Sequence, residues 1–286
     1  MNEVDGVLKK AALLTLALSV FPFTQAEELN TGMLPKWELG LGLAALSLPD
    51  YPGADQGRSY VLPFPYVIYR GERLKANRDG LRGLLFEHPR WDLDISAGGS
   101  LPVNSKDNRA REGMDDLDFS FEFGPSLRFK LRDTPIESLQ LRFNLRALLA
   151  VDGFPGMSYE GWVLNPELRW QQQLTEALSW GASLQTRYGS DDYHNYFYGV
   201  APRFATLNRP AYQADAGHNS SGVALNVRWH ANADWRISAA MSYIDLRDAS
   251  FNDSPLFKKN SGAYFSLSMA RIFWRATKRV DLGPAE

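Results

Sequence analysis

The sequence predicts an all-β protein, a transmembrane antiparallel up-and-down β-barrel of about 12 strands. Apolar residues alternate with polar ones at period two, the connections between these runs are short and long in turn, and tryptophans stand at the ends of the runs. Period two is typical of strands rather than helices. Short and long connections in alternation are typical of bacterial membrane barrels.

The clearest alternation lies within 118–151. Between 119 and 131 every odd position except Pro125 is large and apolar, and the even positions are Ser, Glu, Gly, Arg and Lys. The pattern resumes over 139–151 after a turn at 132–137. Each run has about 13 residues, longer than an ordinary globular strand and sufficient for a tilted bilayer crossing. A polar face of Gly, Ser, Asn and Arg is typical of a narrow, filled barrel lumen.

The other strands follow the same pattern in chain order. The predicted strands cover 37–48, 60–70, two short strands within 73–86, 91–101, 119–131, 139–151, 162–170, 178–187, 223–229, 235–246 and 262–273. Pro63 and Pro65 cannot donate ladder hydrogen bonds, which predicts a bulge, an edge or a segment bent into the lumen, a bulge being the simplest. We expect the two short strands to separate at 78–80. The total is even, as in bacterial single-chain barrels.

The connection lengths orient these strands. If the first strand runs outward, the external connections are 49–59, 78–80, 102–117, 152–157, 189–220 and 247–261. The periplasmic connections are then 71–72, 87–90, 132–137, 175–177 and 231–234. Long and short connections sort onto opposite sides, as barrels of this kind require. The strand 119–131 therefore runs toward the periplasm, and 139–151 runs back out.

The tryptophans mark the two interfaces of the membrane. Seven of them fall in the apolar register, mostly at strand ends, and they form a predicted aromatic girdle: Trp37, Trp91, Trp162, Trp170, Trp180, Trp229 and Trp235. Girdles of this kind stand at the boundary between lipid and water. A soluble core, the alternative, does not concentrate tryptophans at strand ends. The girdle favours a barrel whose outer face contacts outer-membrane lipid.

The first 26 residues have the composition of a secretory signal peptide. Lys9 and Lys10 precede an apolar run over 11–21, and Ala26 is the small residue that signal peptidases prefer. A transmembrane anchor, the alternative, needs about 20 apolar residues. We therefore expect residues 1–26 to be removed, and the chain to be exported.

Composition narrows the function further. The 286 residues carry a formal net charge of -2 and include no cysteine. The balanced charge does not suggest strong nucleic-acid binding, and the lack of cysteine excludes disulfide scaffolds, cysteine zinc sites and thiol nucleophiles. We expect the barrel to occupy 27–273 and a C-terminal extension to occupy 274–286.

Charged residues on the predicted inner face allow two interpretations of the lumen. These residues are Glu122, Arg128, Lys130, Arg142, Arg146, Glu167, Arg169, Arg187, Arg228 and Arg236, with Asp92, Asp94 and Glu160 as further acids. One interpretation is an anion-preferring channel. The other is a plug of ion pairs that fills a narrow barrel. A barrel of about 12 strands lies between small filled barrels and open porins, and we favour the plug.

The external connections carry aromatic residues and the few groups able to do chemistry. The aromatic residues are Tyr51, Tyr193, Tyr196, Phe197 and Tyr198, which suit a binding surface or pack the loops over the barrel mouth. His194 follows Asp191 and Asp192, which could polarise it or bind a cation with it. A solvated acidic loop is the better interpretation, and no phosphate loop or Gly-x-Ser-x-Gly motif occurs. We therefore expect no catalytic site, cofactor or metal.

Four motifs occur in a characteristic order: Pro-Asp-Tyr-Pro-Gly-Ala-Asp at 49–55, Leu-Pro-Phe-Pro-Tyr-Val at 62–67, Tyr-Phe-Tyr-Gly-Val at 196–200 and Asp-Ser-Pro at 253–255. With these motifs the chain resembles the MltA-interacting protein/outer membrane protein V (MipA/OmpV) family. The resemblance implies an outer-membrane barrel of Gram-negative bacteria. One family member is regarded as a scaffold joining a lytic transglycosylase to a murein synthase, and others are discussed as adhesins or in stress and antibiotic responses. The family typically ends on an aromatic residue, whereas this chain continues past Phe273.

The function we expect is a non-enzymatic scaffold for cell-envelope maintenance. Periplasmic murein enzymes would dock on the short turns and on the basic extension 274–286, which contains Arg275, Lys278 and Arg279. The alternatives are a narrow channel for small anions and an adhesin or surface receptor acting through 189–220.

Overall fold

The computed structural model describes residues 33–71, 74–77, 80–151 and 156–281. Within these residues the strands are β1 (Met33–Pro35), β2 (Trp37–Pro49), β3 (Gly57–Arg70), β4 (Leu74–Asn77), β5 (Gly80–Glu87), β6 (Trp91–Ser100), β7 (Ser120–Thr134), β8 (Glu137–Ala150), β9 (Ser158–Gln173), β10 (Leu178–Gly189), β11 (Gly217–His230), β12 (Trp235–Asp245), β13 (Ser261–Arg275) and β14 (Arg279–Asp281). One helix, α1 (Asp191–Tyr198), and two 3-10 turns, Ser105–Asp107 and Pro202–Phe204, lie in the connections of this part of the chain. The predicted signal peptide lies outside the described residues.

The strands β2 to β13 form a closed antiparallel barrel of twelve strands. Each strand pairs with its neighbours along the chain, and β13 pairs with β2 to close the ring, Leu41 lying opposite Arg271. The predicted fold class and strand number are confirmed, including the two short strands β4 and β5. The remaining strands, β1 and β14, pair with each other in a separate ribbon.

The hairpin predicted within 118–151 is β7 and β8. Its side chains alternate as expected, with Glu122 and Arg128 buried and Phe123 and Leu131 exposed. The register shifts once, between Lys130 and Arg132, where a bulge increases the local twist of the hairpin. Because the pairing continues past this bulge to Thr134 and Glu137, the two strands extend beyond the ends that the alternation predicted.

The outer face of the barrel is a belt of exposed apolar side chains, such as Leu41 and Leu43 on β2 and Phe265 and Leu267 on β13. A soluble protein rarely exposes so large an apolar surface. All seven predicted girdle tryptophans share the outward register; Trp162 lies near the long connections, and the other six lie near the short turns. In the described residues, no helix is long and apolar enough to span a membrane.

Short turns and long loops lie at opposite ends of the barrel, as predicted. We call these the short-turn end and the long-loop end. The long connections are 50–56, 101–119, 151–157, 190–216 and 246–260, whereas 88–90, 135–136, 174–177 and 231–234 are short. By the general rule for such barrels, the long-loop end faces outward and the short-turn end faces the periplasm.

Two details differ from the prediction. The bulge expected at Pro63 and Pro65 is absent, because β3 pairs with β2 in unbroken register along its whole length. Both prolines lie at an edge, on the side of β3 that faces β4, which was one of the three predicted alternatives. The expected extension at 274–286 also begins later, because a register shift in β13 lets Trp274 and Arg275 continue the pairing with β2.

Candidate functional site

The long connections fold together over the barrel mouth. We call the segments 50–56, 101–119, 190–216 and 246–260 the loop cap. Its buried centre is aromatic: the Tyr198 ring stacks on Phe251 with the ring centroids 3.6 Å apart. The Tyr51 hydroxyl donates a 2.8 Å hydrogen bond to the Leu256 carbonyl oxygen, and the Tyr198 hydroxyl donates one of 2.8 Å to the Pro52 carbonyl oxygen. These contacts join three of the four segments.

Helix α1 carries three of the five buried aromatic side chains of the cap, Tyr193, Phe197 and Tyr198, into the barrel mouth. Its start is fixed by Ser190, whose hydroxyl oxygen accepts hydrogen bonds from the backbone N–H groups of Tyr193 and Trp162, both at 3.1 Å. A serine in this position satisfies backbone donors that the first turn of a helix leaves free. The helix is therefore attached to β9 and held against the barrel wall.

The prediction that the loop aromatic residues form an exposed binding surface is wrong. Tyr51, Tyr193, Phe197 and Tyr198 are buried, with exposed fractions of 2%, 6%, 8% and 1%, and Tyr196 is half-buried against the same cluster. The physical reason is that an apolar ring gains more from packing inside the cap than from facing water. The alternative interpretation, in which these residues pack the loops over the mouth, describes the structure.

His194 serves the packing of the cap. Its ring is fully buried, and Nδ1 lies 2.7 Å from the Asp215 carbonyl oxygen. Because a carbonyl oxygen only accepts hydrogen bonds, Nδ1 carries a proton. Burial lowers the pKa of His194, which favours the neutral ring. Asp191 and Asp192 are exposed, and within the described ranges no group of three or more His, Asp or Glu side chains could hold a metal ion.

A cavity of about 140 Å³ lies between the loop cap and the lumen. One side of it is polar and is formed by Glu122, Arg146 and Arg187. The opposite side is largely apolar and includes Leu48 and Tyr264. This cavity, with its two unlike sides, is the candidate functional site.

The polar side contains two cations around one anion. The Glu122 carboxylate lies 2.5 Å from Arg187 Nη2 and 3.4 Å from Arg146 Nη1. The Tyr193 hydroxyl donates to Glu122 Oε1 at 3.1 Å and accepts from Arg187 Nη2 at 2.9 Å. Arg146 Nε also donates to the Ser96 hydroxyl at 2.9 Å. The cluster has a formal charge of +1 and ties α1 to four barrel strands.

Further charges fill the lumen toward the short-turn end. Arg128 and Lys130 both pair with Asp92, Lys130 at 3.0 Å. Glu38 lies 3.2 Å from Arg70, and Arg169 lies 3.1 Å from Glu167. The structure places on the inner face all ten predicted lumen charges, namely Glu122, Arg128, Lys130, Arg142, Arg146, Glu167, Arg169, Arg187, Arg228 and Arg236. We call the inner faces of β6 to β10 the polar wall.

The opposite part of the lumen is apolar, a feature that the sequence analysis missed. Tyr66 and Ile68 on β3 pack against Ala270 and Ile272 on β13. Nearer the cap, a second cluster contains Ala44, Leu46, Leu48, Tyr60, Leu62 and Phe64. We call the inner faces of β2, β3 and β13 the apolar wall. The available signal was the nearly continuous apolar run over 60–69, which is typical of a strand with both faces covered.

Comparison with known protein families assigns this barrel to a family. The family model described as MltA-interacting protein MipA matches residues 41–273. The chain belongs to the MipA family. The match begins inside β2 and ends inside β13, so it covers the barrel except for the first residues of β2 and the last residues of β13. The resemblance seen in the sequence is confirmed, and this MipA family member is an outer-membrane β-barrel protein.

Solved structures resemble this MipA family barrel at low sequence identity. An outer membrane channel from Pseudomonas putida F1 is 9% identical, with a TM-score of 0.48 and coverage of 87% of this chain and 100% of that chain. The NanC porin is 9% identical, with a TM-score of 0.40 and coverage of 81% and 98%. The CymD monoaromatic hydrocarbon channel is 14% identical, with a TM-score of 0.37 and coverage of 84% and 89%. A comparison with curated proteins finds no match.

Proposed function

We propose that this protein is a non-enzymatic scaffold of the Gram-negative outer membrane, which docks murein enzymes at its short-turn end. The observation that carries the proposal is the ribbon of β1 and β14. In this ribbon Met33 lies opposite Asp281, and Pro35 lies opposite Arg279. The ribbon takes no part in the barrel, which β2 and β13 already close. It is a structured surface that stands apart from the ring of barrel strands.

The ribbon is attached firmly to the base of the barrel. The Lys36 backbone N–H donates to the Lys278 carbonyl oxygen at 2.8 Å, and the Ala276 N–H donates to the Trp37 carbonyl oxygen at 2.9 Å. Arg70, buried in the barrel wall, donates from Nη1 to the Pro35 carbonyl oxygen at 2.9 Å. A partner bound to the ribbon would therefore be held in a fixed position below the membrane.

The charge of the ribbon suggests the kind of partner. Lys278 and Arg279 are exposed and give the ribbon a basic surface. Complementary charge steers association and fixes orientation. The matching family is described by its interaction with MltA, so the partner we propose is a lytic transglycosylase that presents an acidic surface, with a murein synthase as a second partner.

Ion pairing in the lumen also favours a scaffold over an open channel. Side chains of opposite charge on neighbouring strands form ion pairs, as Asp92 does with Arg128 and Lys130. The packed loop cap lies over the barrel mouth above these pairs. Side chains that neutralise one another fill the space that a solute would need.

Charge reversal tests the docking surface. The double variant Lys278→Glu/Arg279→Glu changes the ribbon surface without shortening β13. We expect at least a tenfold loss of lytic transglycosylase recovered with the purified, reconstituted protein, because the repulsion replaces a steered contact. The measurement is a pull-down in which both proteins are purified.

The matched control is Lys258→Glu/Lys259→Glu, which reverses two exposed lysines in the loop cap at the opposite end. It should leave the recovery unchanged. Equal recovery with the ribbon variant and the unchanged protein would refute docking on the ribbon, and equal losses with both variants would show a nonspecific effect of charge.

A second candidate is a narrow anion-preferring channel, and one observation favours it. The lumen of the described barrel holds more basic than acidic side chains: the bases are Arg70, Arg128, Lys130, Arg142, Arg146, Arg169, Arg187, Arg228 and Arg236, and the acids are Glu38, Asp92, Asp94, Glu122 and Glu167. Planar-bilayer recordings separate the two candidates. Steady anion-selective conductance would support the channel, and silence over long recordings would support the scaffold.

A further inference from the structure

In the part of the chain that the structure describes, the barrel wall has an opening between β3 and β6. The strand β4 pairs with β3 only at Tyr69 and Arg70. On the other side, β5 pairs with β6 only between Asp92 and Ile95. No strand among the described residues covers 57–68 of β3 or 96–100 of β6 on the sides that face each other. Within the described ranges, the short hairpin of β4 and β5 therefore leaves a gap in the long-loop half of the wall.

The edge of β3 at this gap is unable to accept a further strand. The Arg70 N–H points toward β2, because it donates to the Lys36 carbonyl oxygen at 2.8 Å. In an unbroken antiparallel ladder the direction alternates, so the odd residues of β3 direct their backbone groups into the gap. Two of these are Pro63 and Pro65, which have no N–H to donate. Prolines at an edge prevent strand addition, so the gap is a built feature of the fold.

The gap leads onto the apolar wall. On its β3 side, Leu62 and Phe64 face inward and pack with Ala44, Leu46 and Leu48. On its β6 side the inward positions are small, as at Gly98, which lines the cavity beneath the loop cap together with Tyr60 of β3. A hydrocarbon chain that passes through the gap from the membrane would thus remain in apolar surroundings up to the cavity.

The cationic cluster lies at the inner end of this path. Arg146 donates to the Ser96 hydroxyl, which belongs to the gap edge of β6, and Arg146 and Arg187 share a single carboxylate, that of Glu122. The surplus positive charge favours an anion in the cavity. Arginine suits carboxylates and phosphates because its planar donors match their oxygens.

We propose that the cavity binds a single-chain anionic amphiphile that enters sideways from the membrane through the gap between β3 and β6. Its acyl chain lies along Leu46, Leu62 and Phe64, and its head group, a carboxylate or a phosphate, lies beside Arg146 and Arg187. This chemistry is found in free fatty acids and in lysophospholipids. The site is independent of docking at the short-turn end.

Photocrosslinking in liposomes tests the site. The full chain is reconstituted in phosphatidylcholine and exposed to three probes with the same diazirine-bearing chain: a long-chain carboxylate, the matching alcohol and a lysophosphatidylglycerol. Crosslinked residues are mapped by mass spectrometry. We expect the carboxylate to label the inward-facing Leu62 or Phe64 at least tenfold more than the alcohol does. The alcohol should label lipid-facing residues such as Val61.

The phosphate-bearing probe identifies the source of the ligand. Labelling of the inward positions by the carboxylate alone supports a free fatty acid, and labelling by both anionic probes supports a site that also accepts a lysophospholipid. Labelling confined to lipid-facing residues with every probe would overturn the proposal, because the apolar wall would then be closed to the membrane.

A second measurement tests the route of entry. Since the chain has no cysteine, Val61→Cys and Ala97→Cys can be joined across the gap, after folding, by a flexible bismaleimide. Joining them should abolish the inward labelling. The control bridges Val223→Cys and Tyr243→Cys, a paired position on the continuous wall, and should change nothing. Inward labelling that persists after the gap is bridged would refute entry through it.

Discussion

The polar wall and the apolar wall of the lumen are built from strands of similar length and the same antiparallel pairing, yet they fill space in different ways. On the polar wall, long charged side chains such as Arg187 on β10 and Glu122 on β7 extend toward one another and neutralise one another. On the apolar wall, Tyr66 and Ile68 pack directly on β13. The polar wall is stabilised by ion pairs and hydrogen bonds, and the apolar wall is stabilised by the burial of apolar surface.

The difference shows what each wall can tolerate. Removal of one partner from a buried ion pair leaves a charge without compensation, whereas truncation in an apolar cluster costs the transfer free energy of the atoms removed and leaves a cavity. The polar wall should therefore be sensitive to charge, and the apolar wall to volume. The first two predictions below test this contrast, and the third concerns the loop cap above both walls.

The largest effect is expected from Glu122→Gln on the polar wall. The substitution leaves Arg146 and Arg187 buried around a neutral amide, and we expect the free energy of unfolding to fall by about 3–5 kcal/mol. Urea unfolding in liposomes, followed by tryptophan fluorescence, measures this loss. The control Glu176→Gln, in an exposed turn, should change the free energy by less than about 0.5 kcal/mol. Similar stability for the two variants would mean that solvent already screens the cluster.

A matched pair of glycine substitutions should give an intermediate effect. A Cβ at Gly42, on the apolar wall, would lie 2.4 Å from Phe64 Cζ and 2.8 Å from the Met269 carbonyl oxygen. At Gly98, on the polar wall, the nearest atom would be Arg146 Nη1 at 3.1 Å. We expect Gly42→Ala to lower the free energy of unfolding by about 1–3 kcal/mol through overpacking, and Gly98→Ala by less than about 1 kcal/mol.

The same unfolding assay compares the two variants. The reverse order, with Gly98→Ala the more damaging, would show that the polar wall is the tighter of the two, and that the contrast between charge and volume is wrong.

The smallest effect is expected from pH, and it falls on the loop cap above both walls. Burial lowers the pKa of His194, and the positive charge of Arg187 acts in the same direction. The unfolded ring, with its ordinary pKa of about 6.5, binds a proton more readily than the folded one. The contribution of the neutral ring is therefore complete above about pH 6.5 and is lost as the pH falls toward the folded pKa.

Hydrogen exchange of the amides in 190–216 measures this effect. Protection should be lower at pH 5.5 than at pH 7.5 after correction for the intrinsic exchange rate, and His194→Gln should remove the difference. His88→Gln, an exposed histidine in a short turn, should retain it. Equal protection at both pH values in the unchanged protein would contradict the prediction.

The sequence was sufficient to predict the barrel strands but not the packing of side chains inside the lumen. Alternation predicted β7 and β8 because one face of each strand is polar, and connection lengths predicted the orientation. The same reasoning could not predict which face of β3 points inward. Leu62 and Phe64 face inward while Val61 and Pro63 face lipid, so both faces are apolar. Periodicity cannot assign a face when the faces do not differ.

The candidate site was predictable in its charges and not in its arrangement. Glu122, Arg146 and Arg187 were found from their inward register, but their meeting point depends on pairing between strands far apart in the chain. The burial of Tyr51 and Tyr198 depends on how four loops pack together, and no local pattern encodes that packing. The gap in the wall depends on the shortness of β4 and β5, whose functional meaning appears only once their neighbours are placed.

The terminal ribbon also bears on how the ring closes during folding. The last barrel strand must find the first, and Leu41 and Arg271 are about 230 residues apart along the chain. Most of the entropy lost in forming such a contact is the loss of closing one large loop. The ribbon closes the same loop, since β1 adjoins β2 and β14 follows β13. Whichever pairing forms first therefore leaves only a short chain loop for the other to close. Pairing of β1 with β14 would in this way align β2 with β13.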